Sequence, residues 1–386
     1  RKASTLFLLT LFFAFSIASL TTGCGHKNQT PTEGEFEEEE NDKYDGMDRA
    51  IAYEIEQTKD PATGKVPWEK WRIAMEQTQQ AKLTFAGRIE ALSWIERGPN
   101  GDFARINGNN RQNDDQTSGR IRATMVDSLD PTHKTVFVGS VAGGLWKTTD
   151  ITVAPANWVP VNDFLANLSI ADICQDPRPG FQNIMYLCTG ESYFNADAVR
   201  GVGVFKSVDG GANWNFLPST STFLNGTRIL CDHLGNVYVG TRGVGLQRSV
   251  DGGSSWTNIT PSGIGNDVCD LEISTTGAAG RLHVTTGIFS TAGYRFTDVP
   301  ATVTSGAGWT TATTPFTTFN QRTELGISGD NLYACPDNAS HMVPTIWKST
   351  DGGVNWAATG TQPGGATWAN GQGWYDNTIA CDPFNQ

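Results

Sequence analysis

One eight-residue phrase, written three times almost letter for letter, constrains this chain more than any other feature. It reads Ser207-Val208-Asp209-Gly210-Gly211-Ala212-Asn213-Trp214, then Ser249-Val250-Asp251-Gly252-Gly253-Ser254-Ser255-Trp256, then Ser349-Thr350-Asp351-Gly352-Gly353-Val354-Asn355-Trp356. Each copy follows an alternating run: Val202 to Lys206, Val244 to Arg248, and Thr345 to Lys348. A strand is therefore predicted to run into a tight turn. Asp-Gly-Gly supplies the positive-φ positions that such a turn needs, and the Asp carboxylate can accept the turn's N–H groups. The Trp opens the return strand and carries a large apolar surface into a core.

Two weaker copies fill the gaps, Thr148-Thr149-Asp150 after Gly144-Leu145-Trp146-Lys147 and Thr297-Asp298 after Tyr294-Arg295-Phe296. From Asp150 through Asp209, Asp251 and Asp298 to Asp351 the spacings are 59, 42, 47 and 53 residues. Periods of this order, with about four short strands per unit, predict a propeller or a related array. Gly 43 and Trp 12 suit turn-rich β structure with an aromatic residue recurring in each unit.

The phrase Ser/Thr-x-Asp-x-Gly-x-x-Trp resembles the Asp-box, or BNR repeat, of sialidases, sortilin-type receptors and xyloglucan-hydrolysing propeller enzymes. The resemblance covers roughly residues 85–386, and three boxes match in full. It implies an all-β fold: a propeller of four-stranded blades with Asp-box hairpins, about five blades and the start of a sixth, after short N-terminal helices. In those families the box is a structural hairpin on the outside of each blade. By that resemblance Ser207, Asp209, Trp214, Ser249, Asp251, Trp256, Ser349, Asp351 and Trp356 are scaffold, and chemistry is expected on grafted loops instead.

Blade 1 is expected over Arg120 to Val161, blade 2 over Ser169 to Leu217 and blade 3 over Thr227 to Ile259. Blade 4 is expected over Val268 to Thr311 and blade 5 over Thr323 to Ala358. The run from Trp374 to Pro383 reads as the first strand of a sixth blade, after which the sequence stops. A lone strand would leave an unpaired edge. The expectation is a C-terminally incomplete piece of a propeller with seven or more blades.

The N-terminal third divides differently. Residues 1–24 read as a signal peptide: Arg1-Lys2 precede the apolar run Leu6 to Phe15, too short for a membrane span. Leu20-Thr21-Thr22-Gly23-Cys24 resembles a lipobox, although Thr21 stands where an aliphatic residue is usual. That resemblance implies lipidation of Cys24 and export to the outer membrane, on the periplasmic or the cell-surface side. Residues 25–48 are polar, with nine acids and the single base Lys43 between Glu33 and Asp48, and read as an acidic disordered tether. Residues 49–97 read as a helical segment, with one helix near Met47 to Thr58 and a second over Trp68 to Leu83. In the second, Trp68, Trp71, Ile73 and Met75 offer apolar contacts. Residues 98–386 form the propeller, opening with the polar stretch 98–118.

Net charge is −12 and charged residues are 18%. With no basic stripe, nucleic acid is not expected as a partner. No Cys-x-x-Cys or His cluster has metal spacing, so neither metal nor cofactor is expected. Six cysteines lie beyond Cys24; at most one disulfide is predicted, with Cys174 and Cys188 facing each other across a hairpin as one pairing.

The longest loop between blade strands runs from Gly190 to Gly201. Its Glu191, Tyr193, Asp197 and Arg200 can hydrogen-bond a sugar or a carboxylate. Arg242 and Arg322, with Asp337 and His341, are placed in corresponding loops of later blades. The alternative is that these groups hold one another and the loop backbone. A sialidase needs three arginines on a carboxylate, a Tyr nucleophile with a Glu partner, and an Asp acid. Here Gly119-Arg120-Ile121-Arg122 lacks the proline of the motif that opens sialidase propellers, and Val141 stands where the xyloglucanase resemblance asks for an Asp. Three readings of function follow. One is a lipid-anchored propeller that binds glycan or protein ligands, and another is a glycoside hydrolase acting on an extracellular polysaccharide or sialoglycan. A purely structural scaffold is the third.

Overall fold

A computed structural model describes residue 56 and residues 58–85, 120–193, 198–274, 279–288, 290–315, 322–359, 369 and 371–382. All of them belong to one unit, Gly46–Gln386. The signal peptide, Cys24, the acidic tether, most of the first helix, the polar stretch 98–118 and Asp197 lie outside the described residues.

The protein is an all-β propeller. Blade 1 comprises β1 (Ile121–Val126), β2 (Val136–Ser140), β3 (Leu145–Thr148) and β4 (Val159–Pro160). Blade 2 comprises β5 (Ile170–Gln175), β6 (Met185–Thr189), β7 (Val204–Ser207) and β8 (Asn215–Phe216). Blade 3 comprises β9 (Gly226–Cys231), β10 (Val237–Thr241), β11 (Gly245–Ser249) and β12 (Thr257–Asn258). Blade 4 has β13 (Val268–Ile273), β14 (Leu282–Thr286) and β15 (Gly293–Thr297), and a single bridge between Phe296 and Thr310 marks the place of its fourth strand. Blade 5 has β16 (Thr323–Ser328), β17 (Asn331–Pro336), β18 (Trp347–Ser349) and β19 (Ala357–Ala358). Every pairing is antiparallel between strands consecutive in sequence. The first strand of each blade packs on the first strand of the next, β1 on β5, β5 on β9, β9 on β13 and β13 on β16. These five strands are the innermost layer.

The boxes are built as their chemistry dictates. In the first, Ser207 Oγ donates to Asp209 Oδ1 at 2.8 Å, and Asp209 accepts the Asn213 backbone N–H at 2.9 Å. Gly211 N–H donates to Ser207 Oγ at 2.9 Å, and Trp214 Nε1–H donates to the Gly211 carbonyl at 3.0 Å. The third box repeats all four bonds through Ser349, Asp351, Asn355, Gly353 and Trp356. The second keeps the Ser249, Asp251 and Gly253 bonds, but Trp256 Nε1–H reaches Ser219 Oγ of the preceding blade at 3.2 Å. Gly210 and Gly211 take φ of 71° and 82°, the region glycine enters without steric cost. A Cβ at Gly211 would also lie 2.9 Å from the Phe137 ring of blade 1. The box therefore closes its own hairpin and packs on the neighbouring blade at once.

Helix α1 (Trp68–Phe85) places the Arg72 guanidinium carbon 5.0 Å from the Phe216 ring centroid on the outer strand of blade 2. Its Trp71, Ile73 and Met75 are exposed, contrary to the apolar contacts expected of them. Among the described side chains, the charged Arg72 is one through which the helix meets the propeller. Of the run Trp374 to Pro383, expected as a strand, residues 374–382 carry no strand ladder. A Cβ at Gly326 would nonetheless lie 3.2 Å from Ala380 Cα. The segment thus runs close alongside β16 without joining its sheet. The expected facing of Cys174 and Cys188 is also corrected. Cys174 stands opposite Tyr186 and Cys188 opposite Asp172, so the two thiols occupy different rungs.

Candidate functional site

The five innermost strands carry a ring of matching positions. In each blade one residue of the first strand stands opposite the last-but-one residue of the second strand. These pairs are Ala123 with Gly139, Asp172 with Cys188, Arg228 with Gly240, Asp270 with Thr285 and Glu324 with Cys335. Four of the five ring members are ionisable, inside strands that are otherwise largely apolar. Burial of that kind is costly unless the charges are paired and hydrogen-bonded; here Arg228, Asp270 and Glu324 are paired, and Asp172 is hydrogen-bonded. Arg228 donates through Nε to Asp270 Oδ1 at 2.6 Å and through an Nη to Glu324 Oε2 at 3.0 Å. Asp172 accepts the Ile229 N–H at 2.9 Å, and Asp270 accepts the Leu325 N–H at 2.7 Å. Each of these two acids thus fastens its blade to the next.

The same groups set one another's protonation. Burial pushes the Asp270 carboxyl up to about 7, with the Arg228 guanidinium opposing. Burial also raises Asp172 and Glu272. Burial alone would raise Glu324 too, but Arg322 and Arg228 hold it below the ordinary carboxylate value. Sequence reasoning missed Asp172, Asp270 and Glu324, and weighed Arg122 and Arg228 only as arginines available to a sialidase-type set. Their signal is present, a charged residue recurring at one register place in apolar first strands, and it becomes visible only once blades are aligned on their second strands.

Tyr193 fills the space beside this ring. Its hydroxyl lies 2.7 Å from the Cys269 carbonyl and 3.0 Å from Glu324 Oε1. The guanidinium carbons of Arg122 and Arg322 lie 4.0 and 3.7 Å from its ring centroid, a cation–π arrangement strengthened by desolvation. The blade-2 loop therefore reaches across to blades 4 and 5, and burial raises the phenol's pKa. Arg322 is fully engaged: Nε–H donates to Glu324 Oε1 at 2.8 Å, one Nη to the Asn377 carbonyl at 2.6 Å and the other to the Tyr375 carbonyl.

Glu191 sits above, with its side chain 0% exposed. Its Oε1 accepts the Tyr375 hydroxyl at 2.6 Å and lies 3.5 Å from an Arg120 Nη, and that Nη donates to Tyr375 Oη at 2.8 Å. Burial, with Glu191 second, pushes Tyr375 up to about 12. Arg120 is 42% exposed along its side chain, and Trp374 stands edge-on to Tyr375 with ring centroids 5.4 Å apart. Arg120, Trp374 and Tyr375 thus form a partly exposed rim over a closed interior.

Of the residues named from sequence, the structure brings Glu191, Tyr193 and Arg322 into this network. Arg200 is exposed on the same loop, and its carbonyl accepts from Asn167 at 2.7 Å. Arg242 lies in the turn between β10 and β11, half-buried, where burial lowers its pKa and Asp267 opposes. His341 Nδ1 and Asp337 Oδ2 pair at 3.2 Å in the loop after β17, and burial raises Asp337 to about 6 against the effect of His341. Asp209, Asp251 and Asp351 point into their own hairpins, as described above. Among the described residues no group of three His, Cys, Asp or Glu is placed to hold a metal ion, and no helix is long and apolar enough to cross a membrane.

No protein-family model matches the sequence, and no curated protein matches it. Solved structures resemble it. An ancestral GH74 enzyme aligns with a TM-score of 0.48 and 17% identity, over 64% of this chain and 32% of that one. The GH74 xyloglucanase from Xanthomonas campestris aligns with a TM-score of 0.43 and 16% identity, over 69% and 50%. YCF48 bound to D1 peptide aligns with a TM-score of 0.41 and 16% identity, over 62% and 68%. This chain spans about a third to a half of the two GH74 structures. No activity is carried across from these likenesses.

Proposed function

We propose that this propeller binds a glycan or protein ligand at the rim formed by Arg120, Trp374 and Tyr375, with Arg200 on the adjoining loop. One observation carries the reading: Glu191 is enclosed and spent on Tyr375 and Arg120, while the rim above it offers aromatic faces and a guanidinium. A hydrolase needs two carboxyl groups about 5–10 Å apart that reach the substrate. In this ring Asp270 and Glu324 are instead bridged by Arg228. Aromatic faces and guanidinium groups suit sugar rings and their hydroxyls, and equally the side chains of a protein. The N-terminal pattern supplies the rest of the proposal: export, lipidation at Cys24 and attachment to the outer membrane, on the periplasmic or surface side.

The second reading is a glycoside hydrolase, favoured by the raised Asp270 carboxyl, since a general acid must stay protonated near neutral pH. Hydrolysis of a panel of polysaccharides and sialosides by the full-length protein separates the two, run beside retention on glycan and protein arrays. Retention without turnover, weakened in Arg120→Ala, supports binding. Turnover lost in Asp270→Asn or Glu191→Gln moves the assignment to the hydrolase. Neither retention nor turnover leaves a scaffold.

A further inference from the structure

Two thiols face each other across the seam between blades 2 and 3. Cys174 lies near the end of β5 and Cys231 ends β9, with their Sγ atoms 3.6 Å apart. They belong to a cluster with Ala171, Tyr186, Val237 and Val239 that joins the two blades. All six described cysteines are thiols in the structure. A thiol pair is a weak hydrogen-bonding pair, so the contact adds little that two apolar side chains would not. Closing the sulfurs to the roughly 2.05 Å of a disulfide requires a shift of about 1.5 Å.

We infer that Cys174 and Cys231 form a disulfide that staples the innermost strand of blade 2 to that of blade 3. The inference is independent of the ligand. Cys174 is half-buried and Cys231 buried, which sets the order of events. The Cys174 sulfur, as thiolate, attacks one sulfur of an incoming disulfide oxidant, forms a mixed disulfide and expels one thiolate. Cys231 then gives up its proton and attacks the Cys174 sulfur, forming the intramolecular bond and expelling the second thiolate. Two thiols lose two electrons and two protons. The oxidant's disulfide gains both and leaves as two thiols. Burial, together with the neighbouring Cys231, raises the Cys174 thiol well above its ordinary value. Exchange in the folded protein is accordingly slow, and the bond acts as a permanent staple rather than a switch. It closes a loop across the sequence separation of 57 residues, long enough for a substantial restriction of the unfolded chain.

The test uses the full chain purified without reductant, then equilibrated with oxidised and reduced glutathione. Free thiols are blocked under denaturing conditions, and the digest is read by mass spectrometry without reduction. The expected result is one cross-linked peptide pair containing Cys174 and Cys231, lighter by two hydrogens than the two thiol peptides. Cys188, Cys269, Cys335 and Cys381 should all carry the blocking group. Blocking of Cys174 and Cys231, or a cross-link through a different pair, overturns the inference. The Cys174→Ser and Cys231→Ser variants check the consequence. In oxidised protein each should lower Tm by roughly 5–10 °C, the double variant by no more than either, and reductant should abolish the difference. Additive losses that persist in reductant would mean the two side chains only pack, and would overturn the staple.

Discussion

Glu191 and Tyr375 are 184 residues apart in sequence and joined by a 2.6 Å hydrogen bond from the phenol to the carboxylate. The bond ties the long loop of blade 2 to the segment that runs beside blade 5. Because Glu191 is enclosed, loss of the phenol leaves it with the more distant Arg120 at 3.5 Å and the Val199 N–H at 3.4 Å. Tyr375→Phe is expected to cost about 1–3 kcal/mol in urea unfolding. In a double-mutant cycle with Glu191→Gln, the coupling should be about 1–2 kcal/mol. A coupling near zero would show that the rim does not hold this arrangement in solution.

Arg228 bridges two acids of the inner ring, bonded to Asp270 and Glu324 at once. Arg228→Met removes the cation and leaves two buried carboxyl groups, a loss expected to reach about 3–5 kcal/mol at neutral pH. The variant's deficit should shrink as pH falls. Without Arg228 the Asp270 pKa rises further above its unfolded value, and Glu324 loses part of what holds it below the ordinary carboxylate value, so protonation relieves the variant's folded state more than it relieves the parent's. Chemical denaturation at pH 7.5 and pH 5 measures this, and an unchanged deficit would count against burial of the pair.

The blades were legible in the sequence because what defines them is local. A turn of Ser-x-Asp-Gly-Gly closes within eight residues and makes its own bonds, so three written copies fix three hairpins. The spacing then places blades 1 and 5 within a residue or two of the observed strands. The inner ring was not legible, since what Asp172 or Arg228 meets is decided by the neighbouring blade and not by nearby sequence. Arg322 shows the same limit. Its residue type suggests a ligand contact, yet it is held by Glu324 and by the carbonyls of Tyr375 and Asn377. The segment after Trp374 alternates like a strand but has no sheet partner among the described residues, and alternation without a partner makes no ladder.

Gly353 separates the two jobs of a box. Its φ is 83°, and a Cβ there would lie 1.9 Å from Tyr294 Oη and 3.3 Å from His283 Cε1 of blade 4. Gly353→Ala combines backbone strain with overpacking, and should destabilise by about 2–4 kcal/mol. Asp351→Ala loses only the hairpin's own bonds, and about 1–2 kcal/mol is expected. Neither variant should change ligand retention at temperatures where it is folded. A loss of retention in folded Asp351→Ala would reopen the box acids as functional groups.

His283 gives the propeller a defined acid sensitivity. Its ring is buried between Tyr294 and Phe296, with Nδ1 2.8 Å from the Tyr294 hydroxyl. Burial, aided by the nearby Arg281, lowers its pKa from 6.5 to about 3. A folded-state pKa below the unfolded one means that the unfolded chain binds the extra proton first. The neutral imidazole therefore contributes stability that is fully present above about pH 6.5 and is lost as pH falls toward 3. The slope is on the order of 1.4 kcal/mol per pH unit within that window. His283→Gln retains a polar partner for Tyr294 and cannot titrate, so its unfolding free energy should fall less steeply between pH 6.5 and 4. Guanidinium unfolding of both proteins across that range reads the difference directly. Parallel curves would mean that His283 meets water in the folded protein, and the seam between blades 4 and 5 would then be open.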